Sequence, residues 1–146
     1  RRVGWLRRLI GNNQPNNQMN IEEIKKAFEI KNFPIIYAWG DRIYNPSGGP
    51  ISPDLMIHED THLERQGRSE EGAKQWWKLY IEDSKFRLDE EVLAYGRQYK
   101  FIKARLPNKL SKEILTKIAM ALASDLYGNI INYQTAELLV RRASSQ

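Results

Sequence analysis

His58 and His62 are the only histidines in the chain, and they stand four residues apart in IHEDTHL, residues 57–63, with Glu59 directly after the first. On a helix, positions i and i+4 share one face about a turn apart. The two imidazoles can therefore each offer a nitrogen to one tetrahedral Zn²⁺ ion at roughly 2.0–2.1 Å. Glu59, one step beyond the first ligand, can reach a water beside the ion without binding the ion itself. This set suits metal-assisted hydrolysis: a cation brings the pKa of water towards neutrality, and a carboxylate takes its proton as it attacks a carbonyl. The pattern fixes only three residues, so a surface helix carrying two unrelated histidines would also produce it.

A third ligand has to be a carboxylate, because the chain has no cysteine and no further histidine. Glu64, Glu70 and Glu71 are too near in sequence to wrap back easily; Glu82, Asp83, Asp89, Glu90 and Glu91 are better placed. At about 100° per residue, Leu88, Val92, Ala94, Tyr95, Tyr99 and Ile102 form the apolar face of a helix over 87–105. Glu91 falls near the middle of that face, Glu90 at its edge and Asp89 farther off. A carboxylate in mid-face must be paired or bound to a metal, since an isolated buried charge is too costly. Glu91 is thus the leading candidate, with Glu90 beside it. The competing reading is a buried salt bridge to Arg65, Arg87 or Arg97. Ala94, close to Glu91 on the same helix, would let the histidine helix approach.

The elements that must position these residues are legible in outline. SPDLMIHEDTHLERQG, 52–67, predicts a helix with Ser52 as N-cap, Pro53 in the first helical position, Asp54 at the positive end and Gly67 as the stop. SEEGAKQWWKLYIEDSKF, 69–86, predicts a second helix and residues 87–105 a third, ended by Pro107. A fourth spans 110–128, capped by Ser111 and stopped by Gly128, and a terminal helix starts near Thr135. Upstream, NFPIIYAWGDRIYNPSGGP gives the one convincing β signal: a strand over Ile35–Trp39, a Gly40-Asp41 turn and a short strand at Ile43–Tyr44. Residues 21–31 predict a helix with Asn20 as cap. Residues 11–20 read as a polar Asn/Gln-rich linker, and residues 1–10 as a short amphipathic arm. The expected fold is α+β, mostly α: a short hairpin packed on a helical body. The arm and linker occupy 1–20 and a single domain 21–146.

HEDTH, followed after 28 residues by EVLA, resembles the gluzincin branch of the zincin metallopeptidases, in which H-E-x-x-H is completed by a Glu on a later helix. The run from HEDTH to RQYKF is also similar to small peptidases encoded by bacteriophages and, more loosely, to minimal gluzincins; the likeness is best over residues 33–102. It implies a zincin-like domain holding one Zn²⁺ per chain, with His58, His62 and Glu91 as ligands and Glu59 as general base. It also implies an edge strand that binds extended peptide substrate, here with Tyr37, Trp39 and Tyr44 as contacts. An oxyanion-stabilising tyrosine is expected too: Tyr95, Tyr99 or Tyr44, with Tyr95 slightly favoured because it stands one turn from Glu91.

Composition bounds the alternatives. The absence of cysteine excludes disulfides and thiolate metal sites. No apolar run approaches the roughly 18 residues that span a bilayer. The opening RRVGWLRRLIGNNQ does not read as a signal peptide, its apolar part being broken by Arg7 and Arg8. Net charge is +5, with Arg1, Arg2, Arg7, Arg8, Arg141 and Arg142 at the ends. A nucleic-acid module rests on that charge alone and is the weakest reading. The basic arm suits a protein partner, so the alternative to a peptidase is a non-catalytic assembly component of a phage particle that keeps the scaffold. Trp76, Trp77 and Tyr80 read as core before they read as a peptide platform.

Overall fold

The computed structural model describes residues 36–45 and 48–146. The expected arm, linker and first helix, and Ile35 of the first strand, lie outside the described residues. Within them the chain is mostly helical with a short antiparallel hairpin. The hairpin pairs β1 (Tyr37–Trp39) with β2 (Arg42–Tyr44), Tyr37 opposite Tyr44 and Trp39 opposite Arg42. Gly40 turns it at φ +65°. A positive φ at the first of two central residues is the pattern of a type II′ turn, whose twist matches that of the strands and which favours Gly there. Five helices follow: α1 (Pro53–Arg65), α2 (Glu70–Glu82), α3 (Ser84–Arg105), α4 (Asn108–Leu122) and α5 (Tyr133–Ser144). None of the described helices is long and apolar enough to cross a membrane.

The long α3 is the axis of the domain. It packs against α1, α2, α4 and α5, while the hairpin leans on α1. The core joins Trp39, Trp76, Trp77 and Tyr80 to Tyr99, Ile102, Leu115, Ile118, Leu122 and Val140. Trp76 and Trp77 are thus both buried, as expected of core residues.

Several boundaries differ from the sequence reading: β1 starts at Tyr37, leaving Ile36 outside it, and α3 starts at Ser84 rather than at 87. The second helix ends at Glu82, because Asp83 closes it and opens the next: its carboxylate accepts from the backbone N–H groups of Lys85 and Phe86. The fourth starts at Asn108 rather than at a Ser111 cap. Pro107 holds the cap position, and the buried Ser111 hydroxyl donates back to the Asn108 carbonyl. That helix also stops at Leu122. Ser124 donates to Ala121 O and accepts from Leu126 N, turning the chain into a separate 3₁₀ turn, Asp125–Tyr127, that ends on Gly128 at φ +97°.

Gly96 lies where α3 crosses α5. A Cβ there would sit 2.5 Å from the Cβ of Ala143 and 3.1 Å from its carbonyl carbon. Alanine gains about 1 kcal/mol of helix propensity over glycine, but overpacking a closed interface costs typically about 1–3 kcal/mol. Gly96→Ala is therefore expected to lower the melting temperature, and Ala143→Gly in the same chain to recover part of the loss. An unchanged or raised melting temperature would show the two helices to be looser than this.

Candidate metal centre

Two stripes of side chains face each other between α1 and α3. On α1, Asp54, His58 and His62 recur every four residues. On α3, Glu91, Tyr95 and Gln98 share one face. The α1 stripe is held in place by its ends. Pro53 starts the helix, and Gln66 caps it. Gln66 also ties it to the hairpin, accepting from Gly40 N and donating to Ala38 O. His58, Glu59, His62 and Glu91 are all buried.

The predicted ligands meet. His58 Nε2 lies 3.1 Å from Glu91 Oε1, and His62 Nε2 lies 3.3 Å from Glu91 Oε2. Donor atoms of His58, Glu59 and His62 also lie within 4.8 Å of one another, with Glu59 Oε2 3.9 Å from His58 Nε2. A tetrahedral ion with bonds of roughly 2.0–2.1 Å needs donor atoms about 3.3–3.4 Å apart. The imidazole–Glu91 separations are close to that edge length; Glu59 stands farther off, beside the set. Glu59 makes no hydrogen bond among the described residues.

The tautomer of a neutral His58 can be read from its neighbours. Gln98 lies between Asp54 and His58, with its Nε2 2.8 Å from Asp54 Oδ2 and its Oε1 3.0 Å from His58 Nδ1. An ionised carboxylate only accepts, so the Gln98 amide must turn its NH₂ to Asp54 and its carbonyl to His58. His58 Nδ1 then carries the hydrogen. A neutral His58 would consequently aim the lone pair of Nε2 at a Glu91 oxygen, which repels it. A metal ion bound by both groups would relieve that repulsion. His62 differs: its Nδ1 is buried with no hydrogen-bond partner, and its Nε2 faces Glu91. The donor set, two imidazoles and a carboxylate with a second carboxylate alongside, fits a zinc-type cation.

Electrostatics divides the two carboxylates. For Glu91, burial alone would raise the pKa, but the imidazoles of His62 and His58 hold it far below the usual carboxylate range. For Glu59, burial pushes the pKa up and Glu91 adds to it, against the pull of the histidines. One carboxylate is thus kept ionised and the other made more basic, a division of environments found where one acid group binds and another moves protons. Tyr80 donates to Glu91 Oε2 at 2.7 Å. Burial and the Glu91 charge raise its pKa well above the usual value, so it remains a donor.

The remaining candidates are spread around this centre. Glu90 is not part of it: Trp76 Nε1 donates to it at 2.7 Å, and Arg65 pairs with it. Arg97 pairs with Glu64, and Arg87 donates to the carbonyls of Tyr80, Ile81 and Tyr127. Glu91 itself faces the imidazoles of His58 and His62 and the phenol of Tyr80. Asp60 turns outward to Arg68. Tyr95 packs its ring against His58, with centroids 4.3 Å apart, but its hydroxyl is bonded to that of Tyr127. Tyr99 is buried in the core. Tyr37 stacks on Tyr44, and Trp39 Nε1 donates to Glu70. The Ala38 carbonyl of β1 already accepts from Gln66 and Trp77.

A cavity beside the centre is lined by His58, Glu59, His62 and Glu91 and by an aromatic wall that includes Tyr37, Trp76, Trp77, Tyr80 and Tyr127. Tyr95, Trp39 and Tyr44 are not among its lining residues. The tyrosine that both lines the cavity and bonds Glu91 is Tyr80, which the sequence reads as core first and as part of a peptide platform second, not as a partner of the ligand set. Its signal was the pair of aromatics one turn before it on α2, all on one buried face. No described protein family, no curated protein and no solved structure matches the chain.

A metal ion held here would compete with protons, and the shifts fix the direction of that competition. For His62, burial lowers the pKa, but the Glu91 charge and hydrogen bond outweigh it and carry the value above the usual 6.5. In the metal-free protein that pairing contributes stability in full below pH 6.5 and loses it as pH rises through the raised value. Glu91, depressed from 4.5, contributes above pH 4.5 and loses it as pH falls through its lowered value. The metal-free chain therefore gains most from this cluster between those two pH values. Zinc needs both imidazoles unprotonated, so its affinity rises with pH. The rise in melting temperature on adding zinc to chelator-treated protein should be small near about pH 5.5 and several-fold larger near about pH 8. An equal rise at both would mean that zinc binds elsewhere.

Proposed function

We propose that the chain is a zinc-dependent peptidase of the gluzincin type, on a minimal zincin-like domain. The observation that carries this reading is the placement of Glu91. It is a carboxylate in the middle of the apolar face of α3, and it faces the Nε2 atoms of both motif histidines, with Glu59 beside them. His58, His62 and Glu91 would hold the ion. When bound, zinc supplies Lewis acidity, polarising a carbonyl oxygen and lowering the pKa of water.

The chain's own groups do the rest. Glu59, with its raised pKa, accepts the proton of an attacking water and returns it to the departing amine. Tyr80 fixes Glu91 from the side away from His58. Gln98 fixes His58. The aromatic wall excludes bulk water and offers apolar surface to a peptide side chain. Metal content and cleavage test the reading together. The purified full chain should carry one zinc and cleave a mixed peptide library, with activity removed by a chelator and restored by zinc. A chain without zinc overturns the reading. Zinc without cleavage would leave a structural component that keeps the scaffold.

A further inference from the structure

The Asp54–Gln98–His58 chain is more than packing. We propose that Gln98 is a positioning residue for the metal centre: oriented by Asp54, it fixes His58 as the Nδ1–H tautomer and so commits Nε2 to the ion. This inference rests on the reading of His58 as a zinc ligand.

The geometry is specific. Asp54 and His58 lie one turn apart on α1, and Glu91 and Gln98 lie two turns apart on α3. The four side chains therefore close a ring across the helix interface. Gln98 is buried, with 4% of its surface exposed, and both ends of its amide are engaged at 2.8 and 3.0 Å. Free histidine in water prefers the other tautomer, with hydrogen on Nε2, which cannot ligate through that nitrogen. An acceptor at Nδ1 reverses the preference, and such outer partners raise the basicity of the ligating nitrogen as well. Asp54 removes the remaining ambiguity. Without it the amide could flip and present NH₂ to Nδ1, selecting the non-binding tautomer. His62 has no such partner, so its ring is placed by Glu91 and by packing against Trp76, 4.9 Å between centroids. The two histidines are thus held unequally: His58 is set before the ion arrives, and His62 is completed by it.

The test compares zinc dissociation constants of the full chain, measured by competition with a chromophoric chelator, for the wild type, Gln98→Leu and Gln98→Glu. Leucine keeps the volume and removes the acceptor; a weakening of about 10–100-fold is expected. Glutamate keeps the acceptor for Nδ1, so affinity should stay within a few-fold of the wild type, although a second carboxylate beside Asp54 lowers the melting temperature more than leucine does. That opposite ordering of affinity and stability is what a merely structural role would not give. In ¹⁵N-labelled zinc-loaded wild type, the His58 ring should show hydrogen on Nδ1 in hydrogen-bonded contact with Gln98. Equal zinc affinity in Gln98→Leu and wild type overturns the proposal while leaving the zinc site intact, as does equal weakening by leucine and glutamate. A wild type that binds no zinc defeats the underlying reading instead. If Gln98→Leu does not fold, Asp54→Asn replaces it at the more accessible end of the chain. A weakening of a few-fold supports the proposal, and unchanged affinity overturns it.

Discussion

Glu91→Gln is expected to abolish stoichiometric zinc binding while leaving a folded chain. The substitution keeps the volume of the side chain and an oxygen to accept from Tyr80, now 2.7 Å from Glu91 Oε2. It removes the charge that faces both imidazoles at 3.1 and 3.3 Å. A neutral amide is a poor zinc ligand, and its NH₂ group would point at one of the Nε2 lone pairs that must bind the ion. Outer-shell substitutions cost about 10–100-fold in metal affinity, so loss of a direct ligand should exceed the top of that range. Glu91→Ala should go further. It leaves the Tyr80 hydroxyl and two buried imidazoles without their shared acceptor, and breaking such a buried set by removing one partner costs about 3–5 kcal/mol. Metal analysis after gel filtration, with a melting curve for each variant in chelator, separates the two effects. Zinc retained at one per chain in Glu91→Gln would show that Glu59 completes the set and that Glu91 is only a partner of the histidines.

Much of this centre is legible in the sequence because a helix converts spacing into direction with no tertiary information. Four residues place His58 and His62 on one face, and the mid-face position of Glu91 marks it as a carboxylate needing a partner. Glu90 could not be dismissed that way, since an edge position is compatible with either outcome. What removes it is Trp76, which donates to Glu90 from a different helix. Gln98 was not singled out at all. A glutamine on a helix face is equally at home in water, and its meaning depends on Asp54, 44 positions earlier, meeting it across the interface. Tyr95 illustrates the converse. Its place one turn from Glu91 is right for a ring beside His58, but the direction of its hydroxyl is decided by Tyr127, on a 3₁₀ turn that the periodicity had merged into a longer helix.

The fold shows the same division. The hairpin follows from β-branched and aromatic residues around a Gly-Asp turn, and the histidine helix and the long α3 from capping residues and periodicity. The break at Asp83 was hidden because the residues on both sides of it are good helix formers. It matters, since it lets α2 fold back so that Tyr80 bonds Glu91 and Trp76 packs on the His62 ring. The β portion is a single short hairpin among the described residues, and its outer carbonyl at Ala38 is used by Gln66 and Trp77. A peptide adding as a strand would therefore find that carbonyl taken on β1, and β2 is the strand on which to look for substrate contacts.

Glu59→Gln tests chemistry separately from assembly. Glu59 has no hydrogen bond to lose among the described residues, so its amide should cost the fold little. It is 3.9 Å from His58 Nε2, farther than Glu91, so zinc should be retained within a few-fold. What disappears is the proton acceptor. An amide cannot take the proton of an attacking water at any accessible pH, and positioned general bases contribute about 10²–10⁴-fold to rate. Cleavage by Glu59→Gln should fall by at least that factor at unchanged metal content. In the metal-free chain burial pushes the Glu59 carboxyl up, towards a stronger base than a solvated glutamate. Glu59→Asp retains the acid but draws it back by one methylene, so it should keep zinc and lose an intermediate share of the rate. If Glu59→Gln cleaves as fast as the wild type, the proton is taken elsewhere and the role given to Glu59 fails. If it loses zinc together with activity, Glu59 is a ligand rather than a base, and Glu91 must give up that place.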